Sequence, residues 1–266
     1  MSLLHHWFYQ SLGYGCVRSQ RIFAKLYSQA IYGMNYANPT FQNNGEVEAM
    51  RYVRRQLADR KIQNPVIYDV GANVGDYAAA LNGAFPAASI YCFEPSAASS
   101  GELRKRMAGL SNVAVHDFGF GEKEGVFTLF LDSPVSKTAS MYDLPPDHVW
   151  KSNMTESIRL KTIDGFCVEA DVDRINFLKI DAEGHELSVL KGAVNMLAAG
   201  KVDYIQFEFG CRQIDSRTYF RDFFQFLNSR YILYRILKDG LLRIDTYHER
   251  LEIFVLVSNF LAELRA

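Results

Sequence analysis

The chain has 266 residues, 48% of them hydrophobic and 22% charged, with a formal net charge of −1. That balance excludes a disordered chain and argues against a nucleic-acid partner, which calls for a basic excess. The four cysteines (Cys16, Cys92, Cys167 and Cys211) lack the spacing of a zinc site or a redox dithiol.

Residues 1–45 are aromatic-rich, with Trp7, Phe8, Tyr9, Tyr14, Phe23, Tyr27, Tyr32 and Tyr36, and are interrupted by Gly13, Gly15 and Gly33. Ile22, Phe23, Leu26, Tyr27 and Ala30 recur at helical spacing. The segment reads as an extension carrying a helix that packs across the main domain or contacts a second copy in a homodimer. A lid or an acceptor wall is the sharper alternative. Three cations, Arg18, Arg21 and Lys25, give a membrane-surface role little support at this level.

From residue 46 to 266 the pattern is that of one domain in which helices and strands alternate. Val47, Met50, Val53 and Leu57 predict a helix over 46–60, whose Arg51, Arg54 and Arg55 form a solvated face. Strands follow at 65–70, 88–93, 113–117, 176–181 and 203–209. Helices are expected at 75–85, 97–110, 186–199 and 218–229. Residues 125–131 and 156–161 form a further extended pair. The tail gives strands at 231–236 and 251–258 around a hairpin, which offers a sugar-binding face or an edge for dimer formation. Such alternation means an α/β fold with a mostly parallel sheet and helices on both faces.

The segment Asp69-Val70-Gly71-Ala72-Asn73-Val74-Gly75 turns from an apolar strand through two glycines into a helix. Backbone N–H groups at such a helix start receive an anion, and Gly71 and Gly75 permit a tight turn and close approach. Glu94 ends the second strand, where a carboxylate accepts hydrogen bonds from ribose hydroxyls. Asp117 to Gly121 follows the third strand, where an adenine would lie. Together these point to an adenosine-containing ligand. The loop is one glycine short of the G-x-G-x-x-G fingerprint, and a carboxylate at Asp69 would repel a pyrophosphate. It suits an ammonium, directly or through water, which favours S-adenosylmethionine over NAD.

These residues also resemble a known family. Asp69 to Gly75, Phe93-Glu94-Pro95, Gly121 to Gly125, Leu160 to Asp164 and Leu178 to Glu186 are similar to the motifs of FkbM-type methyltransferases. The resemblance spans about Asn44 to Gly210. It implies a class I, Rossmann-like fold with a seven-stranded sheet and an antiparallel C-terminal strand. It also implies S-adenosylmethionine as cofactor and methyl transfer to a hydroxyl of a glycan, sugar or polyketide-type product. Asn44-Gly45-Glu46 matches the family's helix start and brings Glu46 toward the cofactor. The implied cofactor-binding set is Glu46, Asp69, Gly71, Asn73, Gly75, Glu94, Pro95, Asp117, Phe120 and Asp181. The family's Ala-Leu-Gly after strand three is Gly119-Phe120-Gly121 here, which makes the Phe120 contact less secure.

Methyl transfer to an alcohol needs alignment and removal of one proton. Asp181, Glu183 and His185 are the candidate catalytic groups. Lys179 is a partner for a nearby acid, Glu186 complements a helix dipole, and Glu208 either faces the acceptor or pairs with Arg212. Asp181, Glu183 and Glu208 offer oxygen donors for a divalent ion, although the resemblance calls for no metal. A non-catalytic cofactor-binding module and a nicotinamide oxidoreductase are the alternatives. No apolar run reaches the roughly 18 residues of a membrane span, no charged-then-apolar leader is present, and a cytoplasmic setting is expected.

Overall fold

The computed structural model describes residues 13, 15–36, 38, 41, 43–143, 152–255 and 257–265; Trp7, Phe8, Tyr9 and Tyr14 lie outside the described residues. The elements run α1 (Gln20–Gly33), α2 (Glu46–Asp59), β1 (Val66–Val70), α3 (Asp76–Ala84), β2 (Ser89–Phe93), α4 (Ala97–Met107), β3 (Val113–His116), β4 (Gly119–Phe120), β5 (Gly125–Leu131) and β6 (Met154–Lys161). They continue with α5 (Ile163–Glu169), β7 (Ile175–Ile180), α6 (Glu186–Lys191), α7 (Val194–Ala198), β8 (Val202–Gly210), α8 (Arg212–Ser216), α9 (Phe220–Leu227), β9 (Tyr231–Leu237), β10 (Gly240–Ile244) and β11 (Val257–Leu264).

The main sheet has the order β10-β9-β11-β8-β7-β1-β2-β3. Strands β3, β2, β1, β7 and β8 are mutually parallel, and β11 runs antiparallel between β8 and β9. This is the expected α/β sheet with its antiparallel last strand. It gains an eighth strand because the chain turns back at Lys238-Asp239 and pairs Gly240 with Leu237. Strand order reverses between β2 and β7, on either side of β1, and α/β proteins place ligands at the carboxyl ends of strands at such a switch.

Strand alternation assigns the faces. Ile67, Phe177 and Tyr204 pack beneath α2, α3 and α4 with Ala49, Val53, Leu81 and Leu103. Tyr68, Val70, Leu178, Ile180 and Phe207 face the other way, against Phe166, Val189, Leu190, Phe220 and Phe223. One row on the first face is polar: Asp69 is in register with Lys179, and Lys179 with Gln206. Buried polar groups in a sheet interior carry a desolvation cost, and this row leads toward the site.

Strands β4, β6 and β5 form a separate small sheet, so the extended pair expected at 125–131 and 156–161 builds its own layer. The helix expected over 186–199 is broken into α6 and α7. A Cβ at Gly192 would stand 2.2 Å from the Gly121 carbonyl oxygen, and Asp164 caps the restart by accepting from the amides of Asn195 and Met196 at 2.8 and 2.9 Å. The last strand lies at Val257–Leu264 instead of 251–258, because Leu251 closes a short 3-10 turn.

Candidate functional site

Two adjoining cavities open at the carboxyl ends of β1, β2 and β7. The larger, about 480 Å³, is lined by residues including Asn44, Glu46, Tyr77, Lys179, Glu208 and Arg212. The smaller, about 100 Å³, is lined by Glu94, Pro95, Phe120, Leu160 and His185 among others. Gly71, Asn73, Lys137, Asp181 and Glu183 belong to both.

The wall between them depends on backbone geometry. Gly71 has φ +79°, and a Cβ there would stand 1.7 Å from the Asp181 carbonyl oxygen, so only glycine fits. Asn73 (φ +46°) and Glu183 (φ +48°) are non-glycine residues in the left-handed region. Strain of that kind gathers at functional sites. Gly75 (φ +89°) is different: a Cβ there would stand 2.7 Å from Leu103 and 3.2 Å from Met107, so it serves the crossing of α3 and α4 and not the cavity.

Glu94 holds the glycine loop in place. Its Oε2 accepts the Asn73 amide at 2.9 Å and its Oε1 the Ser96 amide at 2.9 Å. Burial raises its pKa to about 7. Beside it, Phe120 lies 4.4 Å from the Phe93 ring within a buried aromatic cluster.

Asp69 lies one layer deeper than sequence spacing implies. Its carboxylate is buried, lines neither cavity and accepts no hydrogen bond from the described residues. Burial raises its pKa to about 7, against the opposing pull of Lys179. Asp69 therefore lies out of direct reach of both cavities. Asp117 is not brought to the site: its side chain is 52% exposed and pairs with Arg159 at 3.4 Å and Arg104 at 3.8 Å.

Lys179 is a buried cation lining the large cavity. Its Nζ donates to Asp181 Oδ2 at 3.0 Å and lies 4.8 Å from the centre of the Tyr77 ring. Burial opposes its charge, but Asp181, Glu46 and Glu208 outweigh burial and hold its pKa above the usual lysine value. Gln206 donates to Glu46 Oε1 at 2.8 Å and accepts from the Tyr77 hydroxyl at 2.8 Å. Asn44 donates to Glu46 Oε2 at 2.7 Å. Burial raises the pKa of Glu46 and, more strongly, that of Glu208.

Glu183 accepts from Arg212 Nε at 2.9 Å, so the pairing considered for Glu208 forms at Glu183 instead. Burial, then the charge of Asp181, raises the pKa of Glu183 to about 8. His185 Nδ1 lies 3.1 Å from the Tyr142 hydroxyl, and burial lowers its pKa to about 4, leaving a neutral imidazole. Glu186 turns inward to accept from the Ala182 and Gly184 amides and from Gln213. Among the described residues, no three His, Cys, Asp or Glu side chains gather as a metal ion would require, and Asp181, Glu183 and Glu208 form no such set.

Residues 132–143 roof both cavities. Asn73 Nδ2 donates to the Ser136 carbonyl at 2.6 Å, Arg212 Nη2 to the Thr138 carbonyl at 3.1 Å, and Ser140 Oγ to the Glu183 carbonyl at 2.8 Å. Sequence reasoning missed this roof, as well as Tyr77 and Gln206. Only Gln206 carried a signal, as a glutamine in an otherwise apolar strand interior.

Two of the relatives that share sequence with this chain are methyltransferases by name. The 2-O-methyltransferase NoeI of Sinorhizobium fredii is 24% identical over 155 residues, covering 54% of this chain and 63% of NoeI. The hexuronic acid methyltransferase AglP of Haloferax volcanii is 27% identical over 167 residues, covering 59% of this chain and 64% of AglP. The chain thus spans less than two thirds of the length of either. A distant structural likeness is an rRNA methylase from Streptococcus thermophilus, with TM-score 0.45 and 12% identity over 82% of this chain and 95% of that one. A profile of the methyltransferase FkbM domain matches residues 69–236, more than half of the 266 residues, and the chain belongs to this family of methyltransferases.

Proposed function

We propose that this chain is an O-methyltransferase that acts on a hydroxyl of a sugar, glycan or polyketide-type product. The observation that carries this reading is the convergence of Glu94, the Gly71 bend and Asp181, from β2, β1 and β7, on two adjoining cavities that share lining residues. S-adenosylmethionine is the methyl donor of the family and supplies, when bound, an electrophilic methyl group on a sulfonium.

The residues present fit that donor. Each Glu94 oxygen has one lone pair committed to a backbone amide and keeps another for a ribose hydroxyl. Pro95 and Phe120, with Leu160, give the small cavity an apolar lining suited to a purine. Glu46 and Asp181 lend the large cavity negative charge for an ammonium, and Asp69 adds to it from beneath. The names of the relatives support an oxygen acceptor on a sugar: a 2-O-methyltransferase and a hexuronic acid methyltransferase.

Of the three candidate bases, we favour Glu183 as the proton acceptor. It lines both cavities, and a pKa of about 8 suits a base working near neutral pH. Asp181, held by Lys179, orients the acceptor hydroxyl. His185 lines only the small cavity and faces the nucleoside end.

The test is a methyl-transfer screen with labelled S-adenosylmethionine against fractionated glycans and polyols, read by mass. On the acceptor found, Glu183→Gln should lower kcat by roughly 10²–10⁴-fold with donor affinity retained. Full activity of that variant would remove Glu183 as the base. A titration in which NAD binds and S-adenosylmethionine does not would end the reading altogether.

A further inference from the structure

Helix α1 leaves its apolar face uncovered by the described residues. Among its residues only Ile31 is buried, whereas Ile22 is 52%, Leu26 53% and Tyr27 59% exposed. Helical spacing aligns Ile22, Leu26 and Ala30 in one row, with Phe23 and Tyr27 alongside. Val17, just before the helix, is 91% exposed. These side chains remain in water although the same chain buries two large cores.

The charges of this segment are one-sided. Residues 1–45 contain Arg18, Arg21 and Lys25 and no aspartate or glutamate, although the whole chain carries 30 acidic residues. Arg21 and Lys25 lie four residues apart and flank the Ile22 row, Lys25 three residues from Ile22. Tyr27 and Tyr32 on the helix are both 59% exposed, and tyrosine favours the boundary between lipid and water. The end of the helix is fixed to the body: Ile31 and Tyr36 pack with Ile253 and Val255, and Arg235 donates to the Met34 carbonyl at 2.7 Å.

We propose that α1 docks this protein on an anionic membrane surface, with Ile22, Leu26 and Tyr27 in the interface and Arg18, Arg21 and Lys25 among acidic headgroups. A second copy packed by this face would bring like charges together, with no acid on the segment to pair them. An anionic lipid layer neutralises them and also receives the apolar row. Three cations alone are few for this role, and the exposure of the apolar row supplies the rest.

The test is sedimentation of the full chain with vesicles of phosphatidylcholine alone and of phosphatidylcholine mixed with phosphatidylglycerol, at low and high salt. Uptake is expected on the mixed vesicles only, weakening with salt. Replacing Arg18, Arg21 and Lys25 together by Gln should lower partitioning on the order of 100-fold. The pair Ile22→Ser and Leu26→Ser should lower it at least about tenfold, with thermal unfolding unchanged because both side chains are exposed. Equal uptake on neutral vesicles, no uptake on either, or unchanged uptake by both variants would overturn the proposal. So would a dimer in sedimentation equilibrium that Leu26→Ser dissociates while vesicle uptake is absent, which would assign the face to a second copy.

Discussion

Gly71 passes so near Asp181 that any side chain at Gly71 would strike the Asp181 carbonyl oxygen, 1.7 Å from the position of a Cβ. The left-handed φ of +79° alone carries a cost of about 1–3 kcal/mol for alanine. Gly71→Ala should therefore lower stability by at least that amount and abolish binding of S-adenosylhomocysteine in calorimetry. Gly83 is the control, since nothing lies within 4 Å of its Cβ position. Gly83→Ala in α3 should raise stability by about 0.5–1 kcal/mol and leave binding intact.

Lys179 balances several acids at once, so its loss reaches beyond one ion pair. Lys179→Met leaves Asp181 unpaired beside Glu46, Asp69 and Glu208. Breaking a buried pair costs about 3–5 kcal/mol. Because Asp181 keeps a third of its side-chain exposure, a loss of about 2–3 kcal/mol is expected. Protonation of the acids relieves the repulsion, so the urea midpoint of the variant should approach wild type at pH 5.5 and fall furthest below it at pH 8.

Stability of the ligand-free chain should fall as pH rises from about 5 to 8. Asp69, Glu94 and Glu186 have pKa values raised to about 7 and Glu183 to about 8 by burial. An acid raised above its unfolded value of about 4 binds its proton more tightly in the folded state. The stability it contributes is complete below the unfolded pKa and is lost as pH passes the folded one. His185, lowered to about 4 by burial, works in the opposite direction as pH drops below its unfolded value of about 6.5, but it opposes four acids. Thermal midpoints across this window check the sign, and a rising midpoint would contradict it.

Glu94→Gln tests whether the carboxylate or only its shape organises the glycine loop. A glutamine keeps one oxygen acceptor but presents an NH₂ to one of the two amides of Asn73 and Ser96. Affinity for S-adenosylmethionine should fall by about 1–3 kcal/mol, with a further loss in Glu94→Ala. Equal affinity of all three proteins, measured by calorimetry, would take Glu94 out of the ribose contact.

Much of the fold could be read in advance because its signals are local. The strand segments 65–70 and 176–181 carry an acid at or next to their last residue, and the glycine bend between Asp69 and Gly75 marks a strand-to-helix turn. Depth could not be read the same way. Asp69 and Asp181 look equivalent at strand ends, yet β1 pairs Asp69 with Lys179, two residues short of Asp181, which places Asp69 beneath the floor. The roof escaped detection because it is held through the carbonyls of Ser136, Thr138 and Glu183, and every residue type has a carbonyl. The break at Gly192 depends on contact with Gly121, which is distant in sequence.

The partition that separates the two chambers is thin: Gly71, Asn73, Lys137, Asp181 and Glu183 face both sides. On the proposed function, a compound that joins a nucleoside to a polyol through a short tether would straddle it, and each half would raise the local concentration of the other. Inhibitors of this enzyme are therefore best built as two-headed molecules, with the length of the bridge as the variable that sets their potency.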